Sequence, residues 1–248
     1  MTHSLAAIRT EVEARLGSQL SAAFAGDVRS PKPTIATGIG TIDRALGGVP
    51  RGAITELVAL PFVSAGQKSL QTQLLARATQ ERACALVDGT DSFDPKSARA
   101  IGVDLRRLLW VRCSGQDMKG LEQAFKCADL LLQGSGGFGL ILVDLASVSQ
   151  RFVRKIPLTT WFRLRAVVER QDTALVFSTS SPVTSTCTEL RLALSVKDVR
   201  WSQLTDTGPT HARVFAGFDF EADISRTRSF RKTAQSATRS LLAYPQLA

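Results

Sequence analysis

The sequence predicts an α/β domain built on a mainly parallel sheet with helices on both faces. Three observations carry this. The strand-like segments are short, four to six residues, and nearly pure in Val, Leu, Ile and Ala. Strands that are buried on both faces read this way. Segments with helical spacing separate them, the alternation expected of βαβ units. Two segments near the C-terminus, 192–201 and 212–220, alternate apolar and polar residues instead. That pattern predicts an antiparallel pair extending the same sheet.

The elements follow in order. Residues 4–24 place Leu5, Ile8, Val12, Leu16, Leu20 and Phe24 on one face, an amphipathic helix with Ser4 as N-cap. Such a helix packs on its own domain or docks on a neighbouring protein. Residues 25–36, with Pro31 and Pro33, read as a linker. Ala53–Val58 is a strand, Gly66–Gln80 a helix, and Ala83–Val87 a strand ending at Asp88. Pro95–Ile101 is a helix opened by proline, whose fixed φ suits a first turn. Leu108–Arg112 is a strand and Leu121–Gln133 a helix. The GSGGFG stretch at 134–139 closes that helix and turns into the strand Leu140–Val143, which ends at Asp144. Residues 159–170 are helical and Ala174–Phe177 is a strand. Three parts result: helix and linker at 1–36, a core domain at 37–224, and a basic tail at 225–248.

Composition bounds the function. Of 248 residues, 44% are hydrophobic and 21% charged, enough for a sizeable core. No run approaches the ~20 apolar residues of a membrane span, and the N-terminus mixes acids and arginine among its apolar residues. A cytoplasmic protein without a membrane partner is expected. Cys84, Cys113, Cys127 and Cys187 form no C-x-x-C pair, and only His3 and His211 could assist them, so no metal site is expected. The cysteines read as buried small hydrophobes in a reducing compartment. The net charge of +9 suits a polyanionic partner. From Arg226 onward there is no acid, while Arg226, Arg228, Arg231, Lys232 and Arg239 are basic. Phe230, Leu241, Leu242 and Tyr244 sit among them. That mixture fits a partner groove, a phosphate backbone or a solvated end.

Ligands of parallel sheets sit beyond the carboxyl ends of the strands. There the stretch ALPFVSAGQKS, 59–69, joins a strand to a helix as a phosphate loop would. A working loop reads G-x-x-x-x-G-K-[ST]. Aligned on Gly66, the first glycine becomes Pro61, the lysine Gln67 and the hydroxyl Lys68. Aligned on Lys68 and Ser69, the glycines become Phe62 and Gln67. Proline has no N–H to donate and phenylalanine fills the space that backbone must use. Gly66, Lys68, Ser69 and Asp144 are therefore vestigial nucleotide-site positions. Neither ATP nor magnesium is expected as a cofactor, and no enzyme activity. A cryptic ATPase using Lys68, Ser69 and Asp144 is the alternative. Asp144 itself reads either as a metal-orienting carboxylate or as a cap on the next turn.

Taken together these stretches resemble the bacterial RecA recombinase core. TGIGTIDRALGGVPRGAITELVA (37–59) is similar to the family's approach to its first core strand. ALVDGTDSFDPKSARAIGVDLRRLLWVR (85–112) resembles its strand, D-P helix, L-G-V-D turn and next strand. LILVDLASVS (140–149) resembles its Walker B strand. The resemblance spans about residues 35–180 and implies a RecA-like, P-loop NTPase-type core. It also implies losses. The family's catalytic glutamate falls on Thr90, which cannot serve as a carboxylate base. Asp91 is adjacent, with its side chain expected to point elsewhere. The family's first DNA loop follows the Walker B strand, and only about 30 residues separate Asp144 from the next strand here. Arg151, Arg154 and Lys155 lie in that position and are candidate partner- or DNA-binding residues. Within the group the short, basic-tailed chain is most similar to the ImuA family of mutasome accessory proteins. That resemblance implies a non-catalytic adaptor in the SOS response and translesion synthesis. The implied partners are an ImuB-like Y-family homologue, RecA and a DnaE-type error-prone polymerase. A DNA-binding RecA-like module is the alternative.

Overall fold

A computed structural model describes residues 32–59, 66–113, 117–134, 137–201, 215–227 and 241–242. Everything below belongs to the unit Pro33–Ala248. The helix expected at 4–24, Pro61, Phe62 and most of the basic tail lie outside the described residues.

The domain starts earlier than its linker reading. β1 (Thr34–Ile35) pairs antiparallel with β2 (Val49–Pro50), and Ile35 is fully buried. Between them runs α1 (Gly40–Leu46). The Asp43 carboxylate accepts the Thr37 N–H and hydroxyl, both at 2.7 Å, and the Gly38 N–H at 3.1 Å. Thr37, Gly38 and Asp43 thus knot the entry to the core.

The central strands are β3 (Ala53–Ala59), β4 (Cys84–Asp88), β5 (Leu108–Arg112), β6 (Leu140–Asp144) and β7 (Ala174–Thr179). β8 (Leu190–Trp201), β9 (Phe215–Thr227) and β10 (Leu241–Leu242) follow. All eight form one sheet in the order β10-β9-β8-β3-β7-β6-β4-β5. β8 through β5 pair in parallel, while β9 and β10 extend the sheet antiparallel. The expected α/β class, its parallel sheet and its antiparallel extension are all present. The bounds of the last pair differ. β9 runs to Thr227 rather than stopping at 220, so the sheet takes in the first residues of the tail, and Leu241 and Leu242 pair back onto Phe220 and Asp219.

Successive residues of a strand point to opposite faces, and the core divides accordingly. Leu57, Leu86, Leu142 and Val176 pack against α2 (Gln67–Glu81) and α3 (Pro95–Ile101). Ile54, Val87, Val143 and Phe177 pack against α4 (Met118–Gln133), α5 (Gln150–Val153) and α6 (Leu158–Val168). Phe125, Trp161 and Phe177 meet on that second face with centroids 4.9–5.9 Å apart. Helix α4 begins three residues before its apolar pattern, because Asp117 accepts the Gly120 N–H at 2.9 Å and caps it. Among the described residues no helix is long and apolar enough to cross a membrane.

Candidate functional site

The parallel register sets the site. Asp88 lies opposite Asp144, and Asp144 opposite Ser178, so the carboxyl ends of β4, β6 and β7 finish level. The loop after β4 is clamped to β6 by the Gly89 N–H, which donates to the Asp144 carbonyl at 3.0 Å. A Cβ at position 89 would stand 2.9 Å from that oxygen, so only glycine permits this approach. Helix α2 opens over the same edge from Gly66, whose φ of +73° is the left-handed conformation glycine adopts at no steric cost.

The first residues of α2 fill the site from within. Gln67, which stands at the lysine position of a phosphate loop, is buried. Its Nε2 donates to the Leu57 carbonyl at 2.8 Å and the Thr179 carbonyl at 3.0 Å. Both amide hydrogens are spent stitching α2 to β3 and β7. Lys68 stands at the hydroxyl position and puts its ammonium on the Asp144 carboxylate and the Ser92 hydroxyl, with the Thr90 hydroxyl at 3.3 Å. Asp144 is 2% exposed and Lys68 46%, so the pair is a buried carboxylate covered by a half-exposed cation. The other Asp144 oxygen accepts the Ala146 N–H at 3.1 Å. Asp144 thus caps the next turn, and the cation on its other oxygen is the chain's own Lys68.

Thr90 and Ser92 support this cluster. The Thr90 hydroxyl lies 3.0 Å from Asp88 and 3.1 Å from Asp144, bridging the two strand ends with one proton. Burial raises the Asp88 pKa, but donors outweigh it and hold the carboxyl below its ordinary value of 3.8. They are the N–H groups of Phe93, Thr90 and Ser92 and the Thr90 hydroxyl. The Trp110 indole adds a bond at 3.2 Å.

Asp91 is turned away from the cluster, as expected. Its carboxylate takes two bonds from Arg112, at 2.8 and 2.9 Å, and its backbone is left-handed at φ +50°. Arg112 holds the carboxyl below its usual range by that hydrogen bond. Arg112 also lies over the Trp110 ring, 5.2 Å from its centroid. No carboxylate remains at the position of the family's glutamate, where Thr90 stands.

These residues do not fit magnesium and ATP. The group that should meet the outer phosphates is an amide bound to carbonyls, and the group that should hold the metal is itself a cation. A divalent ion ~4 Å from that ammonium would be repelled by roughly 8 kcal/mol at an effective dielectric near 20. The cavity beside Lys68 is about 180 Å³ and is lined by Gln71, Leu75, Phe93, Asp94 and Asp144 among others. That falls below the ~300–1,000 Å³ of ordinary ligand pockets.

Of the sequence-predicted positions, Lys68 and Asp144 meet, while Gly66 and Ser69 serve the first turn of α2. Arg151, Arg154 and Lys155 are exposed on α5 and the turn after it. Arg226 sits in β9 opposite Arg191, and Arg228, Arg231, Lys232 and Arg239 lie outside the described residues. Sequence reasoning passed over Ser92 and Arg112. Hydroxyls at two and four residues past Asp88, and a basic residue ending the neighbouring strand, were the available signals.

Glu56 was also passed over. It is fully buried on β3 and accepts from Val183 N–H at 2.7 Å, the Thr184 hydroxyl at 2.6 Å and Arg191 Nε at 2.7 Å. It ties β3 to the connection between β7 and β8.

A family model for the RecA N-terminal domain matches residues 4–153, more than half of the chain. The match takes in the knotted entry, the D-P helix and the Asp144 strand, whose geometry is given above. The chain belongs to the RecA family through this N-terminal domain.

Proposed function

We propose that this protein is a non-catalytic RecA-type accessory protein acting through protein contacts in the SOS response and translesion synthesis. The observation that carries the reading is the Lys68 ammonium seated on Asp144. An ATPase of this family needs that carboxylate for its metal, and here the chain supplies its own counter-charge. The Gln67 bonds and Thr90 at the glutamate position support the same reading. A scaffold kept intact around a filled site works by its surfaces.

The finer identity rests on the sequence resemblance to the ImuA family. It names an ImuB-like Y-family homologue, RecA and a DnaE-type polymerase as partners. Co-expression of the tagged chain with an ImuB-like homologue tests it. The reading predicts a one-to-one complex that survives size-exclusion chromatography and forms without nucleotide. Failure to co-purify with both that homologue and RecA, alongside normal DNA-damage-induced mutation in a strain lacking the protein, would refute it.

A further inference from the structure

On the second face of the domain, the chain from Arg151 to Phe162 carries two surfaces. Inward, Val153, Ile156 and Trp161 are buried in the core. Outward, Arg151, Arg154 and Lys155 are exposed, and Leu158 and Phe162 follow at 56% and 48% exposure. The last two are four residues apart on α6 and share one flank of it.

No acid occurs between Asp144 and Glu169. The two nearby ion pairs use other cations: Arg163 with Asp129, and Arg165 with Glu169. Among the described residues Arg151, Arg154 and Lys155 form no ion pair. The Arg151 guanidinium lies over the Phe152 ring at 4.6 Å, and Arg154 donates to Gln150 at 3.3 Å. These contacts orient both guanidinium groups without neutralising them. The result is a cluster of uncompensated cations continuous with an apolar flank.

We infer that this surface, Arg151 to Phe162, binds an acidic amphipathic segment of a partner protein. Carboxylates of the segment meet Arg151, Arg154 and Lys155, and its apolar side chains cover Leu158 and Phe162. The inference rests on the adaptor reading above and gives it a surface. Charge complementarity fixes the sign of the partner. The exposed leucine and phenylalanine fix its class. A phosphate backbone satisfies the cations but leaves Leu158 uncovered, whereas a peptide of mixed character satisfies both halves. Phenylalanine and arginine together are also the residues enriched in protein interfaces.

Fluorescence anisotropy with the full-length chain tests it with three probes. They are an amphipathic peptide bearing glutamates on one face and leucines on the other, the same peptide with lysines for glutamates, and oligo(dT). The glutamate peptide binds and the lysine peptide does not. R151E/R154E/K155E weakens binding roughly tenfold, three exposed charge contacts each contributing a fraction of a decade. L158S/F162S weakens it comparably and, unlike the charge variant, leaves the salt dependence of the remainder unchanged. Thermal melts of both variants keep one cooperative transition, the apolar variant slightly lower, because its side chains are about half packed. Equal affinity of the parent and the charge variant overturns the inference, as does oligo(dT) displacing the peptide from the same residues. If the peptide fails while an ImuB-like homologue still co-purifies, this surface is refuted and the adaptor reading stands. If the chain turns over ATP while the peptide binds as described, the adaptor reading falls and this surface stands.

Discussion

At the scale of single residues, two adjacent side chains decide what the site can do. Gln67 and Lys68 were legible as misfits, because the loop pattern fixes which residue type each position needs. Where Lys68 goes was not legible. Its contact with Asp144 spans 76 positions and exists because α2, following β3, opens over the carboxyl end of β6. Lys68→Ala removes the cation from a buried carboxylate that keeps its bonds from Ala146 and Thr90. Since Lys68 is half exposed, we expect a loss of about 1–2 kcal/mol rather than the larger cost of a fully buried pair. Urea unfolding measures it, and no gain of ATP turnover accompanies it. Asp88 gives a pH test. Its folded carboxyl lies below its ordinary value, so its contribution is present at neutral pH and is lost as pH falls through the folded value. The stability gap between the parent and Asp88→Asn is therefore widest near neutrality and closes below about pH 4. A gap that widens on acidification would contradict the assigned hydrogen bonds. Burial also pushes the Cys84 thiol up to about 12 and Cys113 to about 11. Both should resist alkylation at pH 8 until the chain is unfolded, because the thiolate is the reactive form.

At the scale of elements, the strands were the most legible feature. An apolar run of four or five residues between helical segments admits few other readings in a chain of this composition. Ends were less legible, since caps and ladders set them. Asp117 starts α4 ahead of its apolar pattern, and β8 and β9 pair beyond their alternating stretches because each supplies the other's hydrogen bonds. The Glu56 tie was invisible in the sequence, where one acid in a strand carries no partner's name. It is nonetheless costly to disturb. Glu56→Ala removes the carboxylate that Arg191 Nε and the Val183 N–H donate to, a predicted loss of about 3–5 kcal/mol by chemical denaturation. A loss below ~1 kcal/mol would show that β8 does not depend on this tie. On the same face Trp161→Ala opens a cavity beside Phe125 and Phe177, with an expected cost of about 3–5 kcal/mol.

At the scale of the whole molecule, a RecA-family domain keeps its sheet, its knotted entry and its D-P helix around a nucleotide position filled by its own side chains. The fold survives such a change because the core lies between strands and helices, while the altered residues sit at the strand ends. On the proposed adaptor reading, function lies in surface: the cationic and apolar strip from Arg151 to Phe162 and the basic segment past β9. The central claim is that the chain's own lysine occupies the place of the metal. Isothermal titration of the purified full chain with magnesium and ATP tests it most directly. The account predicts no saturable heat at concentrations that detect micromolar binding. A one-to-one isotherm that disappears in Asp144→Ala would contradict it.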